Sequence, residues 1–309
     1  MGTPATGEQH VLTLGDVTAT VTELAAGLRR LRVGGVELVQ DYPADALPSG
    51  GSGIVLVPWP NRVRDGRWTL DGEPQQLDLT EPSKGNASHG LLRNTPYRVT
   101  DRGESAVTLS AAVFPQHGWP FHLETSVRYS LTEDGLEVVH GVRNVGDAPA
   151  PVGIGCHPYL RVGDAPMRDL VVTVSGDRML VTDERSLPVQ EVDVEGTPQD
   201  LRRGASLADL RLDTAYTGLH AEDDRVRHRL SAPDGRTVEL HADPAFAWAQ
   251  VFTNDVYATD EGLIDAVAIE PMTCPPDALN SGEGLTWLQP EEQWIVDWGI
   301  RLLARPPAA

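Results

Sequence analysis

Five short segments carry residue types that can move protons or grip a polar ligand. In Gly153-Ile154-Gly155-Cys156-His157-Pro158-Tyr159-Leu160, Pro158 biases the residue before it toward extended geometry and has no amide hydrogen to give a helix. His157 is therefore predicted at the end of a strand or just past it, with Gly153 and Gly155 leaving room for something to approach. Taken alone, the segment also reads as a His-Pro turn without chemistry. In Ala266-Val267-Ala268-Ile269-Glu270-Pro271, Glu270 ends an apolar run. A carboxylate there loses hydration, so its pKa rises and it becomes a better base unless a cation offsets the shift; either way it needs a partner. The segment 58–66 joins a proline-stiffened turn, Trp59, Asn61 and the guanidinium of Arg62, whose planar fork matches the oxygens of a sugar or a carboxylate. Equally, Trp59 suits a core and Arg62 a surface ion pair. His89, followed by Gly90 in a polar loop, and Asp213, three residues before the phenol of Tyr216, each have an ordinary turn as the plain alternative.

Other chemistries fail on spacing. The nine histidines include no His-x-His and no His-Glu-x-x-His, and the two cysteines, Cys156 and Cys274, form no Cys-x-x-Cys, so no metal site is expected. No Gly-rich phosphate loop opens a helix, and Gly51-Ser52-Gly53 lacks the spacing of a serine nucleophile elbow. A formal net charge of −20 argues against nucleic acid, whose phosphates ask for a basic face. No apolar run reaches the roughly 18 to 20 residues that span a bilayer, and residues 1–9 do not resemble a signal peptide. A cytoplasmic protein with reduced thiols is expected, monomeric or homodimeric, without membrane partners.

The elements that must position these groups read as strands. Period-two patterns run through 11–14, 18–22 and 36–39, and Asp71-Gly72, Asp134-Gly135 and Asp234-Gly235 sit between such runs as hairpin turns. Further strands are predicted at 106–112, 170–174, 248–253, 266–270 and 294–303. Residues 1–9 are expected to fray, 205–210 to form a short helical turn, and the loops 41–53 and 182–204 to cover one face. With 24 prolines and 30 glycines spread throughout, no linker divides the chain. One all-β domain over 1–309 is predicted, a large antiparallel sandwich.

Asn61-Arg62, the stretch from Asn86 to Gly90, His157-Pro158-Tyr159, Asp213 and the stretch from Glu270 to Asn280 stand in the order of the motifs of the aldose 1-epimerase, or galactose mutarotase, family, and from about Val11 to Leu303 the chain resembles it. The resemblance implies a galactose mutarotase type β-sandwich with a sugar in an open cleft and no cofactor. It implies Glu270 as general base, His157 as general acid, His89 as a second histidine at the reacting centre, and Arg62, Asp213, Asn61 and Tyr159 as sugar-binding groups. The chain departs from the best-known branch around the acid histidine (Gly-Cys-His-Pro-Tyr-Leu) and after the glutamate (Pro271-Met272-Thr273), so its sugar preference is expected to differ. Glu270 would take the proton of the anomeric hydroxyl while an imidazolium at His157 protonates the ring oxygen. Attraction between the two should depress the first pKa and raise the second. The expected substrate is a neutral free aldohexose. The alternatives are a hexose-6-phosphate 1-epimerase, a non-catalytic carbohydrate-binding sandwich, and a glycoside hydrolase using Glu270 with Asp213 or Asp265.

Overall fold

Alternation of buried and exposed positions is carried through the strands that the sequence pattern marks. Leu123–Leu131 buries every second residue from Leu123 to Leu131, and Arg225–Ser231 buries Val226, His228 and Leu230 while its flanking residues stay half-exposed. The computed structural model describes residues 4–303. Its named strands pair antiparallel, and most fall into two large sheets. In the ten-stranded sheet, hairpins at Asp134-Gly135 and Asp234-Gly235 flank the strand Gln293–Leu302, which pairs with Gly135–Asn144 on one side and Thr237–Ala242 on the other. The eight-stranded sheet is centred on Trp248–Thr259 and Gly262–Met272, with Asp213–Leu219 outside the first, and with Gly155–Cys156 and Tyr159–Leu160 both pairing to the second. The N-terminal strands Gln9–Leu14, Val17–Thr22, Leu28–Val33 and Val36–Glu37 form a smaller sheet, and one apolar cluster runs through all three.

The three Asp-Gly hairpins form as predicted, because short turns join strands whose patterns already agree; of the three, only at Asp71-Gly72 does the pair alone separate the last paired residues, Leu70 and Glu73. Three expectations are corrected. The start does not fray from Pro4 onward: Thr6 is fully buried, the Ala5 amide donates to the Ala44 carbonyl, and Gln9 already belongs to a strand. Residues 205–210 make no helical turn. Ala205–Ser206 adds to the edge of the larger sheet and Leu207 drops into the core, so tertiary pairing overrides a short local periodicity. The segment 182–204 is only partly loop, since Pro188–Asp193 folds back on Gly176–Thr182 as a hairpin. Its polar, half-exposed sequence hides an edge strand. Leu28–Val33, with three arginines in six residues, was not predicted either.

Candidate active site

Register brings the two titratable groups together. Gly155 pairs with Met272 and Tyr159 with Ala268, so the antiparallel count places His157 opposite Glu270. Pro158 breaks the ladder between those pairs, and the His157 backbone turns instead to the next segment: its amide donates to the Ile54 carbonyl and its carbonyl accepts from the Gly53 amide. The imidazole is thereby fixed at its root. His157 Nε2 lies 3.3 Å from Glu270 Oε1, with both side chains almost wholly buried. His157 Nδ1 and Glu270 Oε2 have no protein partner, and neither does His89 Nδ1. The three residues border a cavity of about 220 Å³ lined by Gly50, Asn61, Arg62, Thr80, Glu81, Ser88, His89, Arg93, His157, Asp213, Phe252 and Glu270. That is below the about 300–1,000 Å³ of drug-sized sites and suits a small polar ligand.

His89 reaches this cavity through an unusual backbone. Both His89 (φ +64°) and Gly90 (φ +71°) are left-handed. A Cβ on Gly90 would lie 2.1 Å from the Val57 carbonyl oxygen, so only glycine fits this crossing. The His89 amide donates to the Asn61 carbonyl and the Leu91 amide to the Val57 carbonyl, and the rings of His89 and His157 meet edge to face at 5.4 Å.

The wall beyond the histidines is ionic. Arg62 donates from Nε and Nη2 to the two oxygens of Glu81, at 2.9 and 3.1 Å, and Nη1 stands 3.6 Å from Asp213. Asp213 also accepts from Gln250 Nε2 at 2.6 Å. Gln250 is the cross-strand partner of Glu270, and Phe252 that of Asp213, so one pair of strand contacts sets three sides of the cavity.

Six of the seven sequence-predicted site residues, Glu270, His157, His89, Arg62, Asp213 and Asn61, line this cavity. Asn61 is also a turn residue: it is left-handed, and its Oδ1 accepts from the Arg62 amide. Tyr159 does not line the cavity. It is fully buried beneath the acid–base pair, stacked on His157 at 5.3 Å, with its hydroxyl accepting from Asn254 at 3.2 Å and held within the protein. Trp59 belongs to the core, packed at a tilt against Trp119 with ring centroids 5.5 Å apart. Asp265 faces a separate, larger depression of about 470 Å³ alongside Arg161 and Met167, which removes it as a partner for Glu270. Sequence reasoning missed Gly50, Thr80, Glu81, Phe252 and the cavity role of Ser88 and Arg93. Ser88 stood in the stretch from Asn86 to Gly90 already singled out, and Arg93 lies three residues beyond it; Glu81 and Phe252 carry no local signal. Among the described residues no three His, Cys, Asp or Glu side chains converge as metal ligands, no helix is long and apolar enough to cross a membrane, and both cysteines are buried and unpaired.

Burial dominates the electrostatics. It pushes the Glu270 carboxyl well above its usual value, helped by the nearby Asp213 and opposed by Arg62. It pushes His157 down to about 4, and His89 well below its ordinary value, with the cationic form of His157 adding to the second shift. The rise at Glu270 is the one expected of a carboxylate closing an apolar run, and both directions are the reverse of those expected from attraction within the pair, because losing water costs each ion more than their mutual attraction returns. Both shifts favour the arrangement in which the pair keeps one proton, on the carboxyl, beside a neutral imidazole.

Residues 8–300 match the family model for aldose 1-epimerase. The uncharacterized protein YihR of Escherichia coli K12 is 31% identical over 285 residues, covering 92% of this chain and 89% of its own length. Crystal structures of an aldose 1-epimerase homologue from E. coli K12 and of the GalM/aldose epimerase homologue from C. elegans both superpose with a TM-score of 0.81. They are 19% and 15% identical, and each alignment covers 96% of this chain and 98% of the other.

Proposed function

The chain belongs to the aldose 1-epimerase family, and on that premise we propose that it interconverts the α and β anomers of a free aldohexose by opening and reclosing the ring. The observation that carries this reading is the buried pair of His157 and Glu270, 3.3 Å apart and both lining one cavity. A hemiacetal needs one group to take the proton of O1 and another to give one to O5. A pair sharing one proton does both: with the proton on His157 the ring opens, and with it on Glu270 the ring can close on either carbonyl face after rotation about C1–C2. Only protons move, so no cofactor or metal is called for. In this reading Arg62, Asp213 and Asn61 hold sugar hydroxyls, His89 orients the reacting oxygen, Phe252 packs on the ring, and Tyr159 supports His157 from below.

The test is polarimetry of freshly dissolved α-glucose and α-galactose. Wild type should accelerate mutarotation, while Glu270→Gln and His157→Ala should each lose at least about a hundredfold, the low end of a general acid or base contribution. Release of free sugar from a disaccharide would point to a hydrolase instead. Sugar binding without either reaction would leave a binding module. Folded variants with near wild-type rates would show that the roles are misassigned.

A further inference from the structure

The charges around the cavity are matched except for one. Glu81 is gripped on both oxygens by Arg62, which also faces Asp213, and Lys84 stands 3.9 Å from Asp213. Glu270 is held toward its neutral acid. Arg93 lines the same cavity, half-buried, and among the described residues no carboxylate lies within ion-pair distance of it. Its one hydrogen bond runs from Nη1 to the Ser88 carbonyl at a long 3.4 Å. A guanidinium has five donors in a rigid fork, and Arg93 commits only one of them to this long bond, which leaves the others for water or for an acceptor on a ligand in the cavity. Burial does lower the Arg93 pKa, with Glu81 resisting, yet an arginine stays charged.

We propose that Arg93 reads one negative charge on the sugar, so that the preferred substrate is an aldose bearing a carboxylate or another singly charged oxyanion, such as a uronic acid. The argument rests on the anomer-exchange reading above, since Arg93 shares its cavity with Glu270 and His157. It replaces the expectation of a neutral sugar. One unpaired guanidinium compensates one charge; a phosphate carries nearly two at neutral pH and would leave the second desolvated. Arg64 offers no help, being drawn to Asp183 and Asp277. The net charge of −20 repels anions at long range, but that field is screened beyond about 8–10 Å at physiological salt, and the local donor decides.

The experiment compares kcat/KM for glucose, galactose, glucuronate, galacturonate and glucose 6-phosphate by NMR exchange between anomers, in wild type, Arg93→Lys and Arg93→Gln. Wild type should prefer each uronate over its parent sugar by about tenfold or more, the worth of one charge-assisted hydrogen bond. That ratio should collapse toward unity in Arg93→Gln, survive in part in Arg93→Lys, and shrink with added salt. A neutral sugar preferred by wild type, a ratio unchanged in Arg93→Gln, or a phosphorylated sugar preferred over the uronates would overturn the proposal. If no sugar exchanges faster with protein than without, the anomer-exchange reading fails on its own. Calorimetric titration with glucuronate then still decides: binding about tenfold weaker in Arg93→Gln supports the charge-reading role, and equal affinity refutes it.

Discussion

Glu270 and His157 share a single proton because each is more costly to charge than to leave neutral in a buried site. That fixes the pH dependence of the proposed reaction. Below about pH 4 His157 gains a second proton and the pair loses its base. Above the raised value of Glu270 the pair loses its last proton and with it the acid. The rate should therefore hold a plateau between these limits, measured as kcat/KM from about pH 3 to about pH 10. An acidic limb at the ordinary histidine value near 6.5 would contradict this assignment. The residue identities of the pair were legible in the sequence, since an acid closing an apolar run and a histidine before proline both announce constrained positions. Whether loss of water or mutual attraction decides their shifts was not legible, because it depends on how completely the sheet and the loop 41–53 exclude water. Tyr159 misled for the same reason: its place beside His157 in the chain says nothing of which side of the imidazole it occupies.

At the scale of elements, the site depends on a crossing of backbones near Val57 and Gly90. Gly90→Ala would force a Cβ to 2.1 Å from the Val57 carbonyl at a positive φ. A loss of about 1–3 kcal/mol in urea unfolding is expected, the usual scale of local backbone strain, together with a fall in kcat/KM as His89 moves. Gly72→Ala is the control. That glycine is also left-handed but meets nothing within 4 Å in its hairpin turn, so it should cost about 1 kcal/mol or less and spare activity. Equal effects of the two substitutions would remove the argument from close approach. The hairpins were readable because Asp-Gly turns and period-two patterns are local. The crossing was not, because Gly90 is marked only by a carbonyl 33 residues earlier in the chain, and the strand Pro188–Asp193 was lost among polar residues that suit an edge as well as a loop.

The whole molecule carries its own acid sensitivity. His140 and His228 are buried neutral, held down to about 3 and about 4 by loss of water, and His157 joins them. An unfolded chain takes up protons on these rings near pH 6.5, while the folded chain does not until pH 4 or below. Stability should fall as pH drops through that window, by up to about 1.4 kcal/mol per pH unit for each imidazole. Glu270 works in the opposite sense, since its raised value favours the folded state in acid and that contribution fades as pH rises through it. Urea midpoints at several pH values would check the slope, and His228→Gln should flatten it; a midpoint constant from neutrality to about pH 4.5 would count against three neutral rings. The placement of His157 opposite Glu270 by strand register has another consequence. Glu270 sits in a hydrogen-bonded ladder that continues into the core, and His157 is tied by its own amide and carbonyl to Ile54 and Gly53, so among the described residues backbone hydrogen bonds set their separation. Heating should then leave the site assembled until the cooperative melt of the fold itself, with inactivation and loss of sheet structure following one curve.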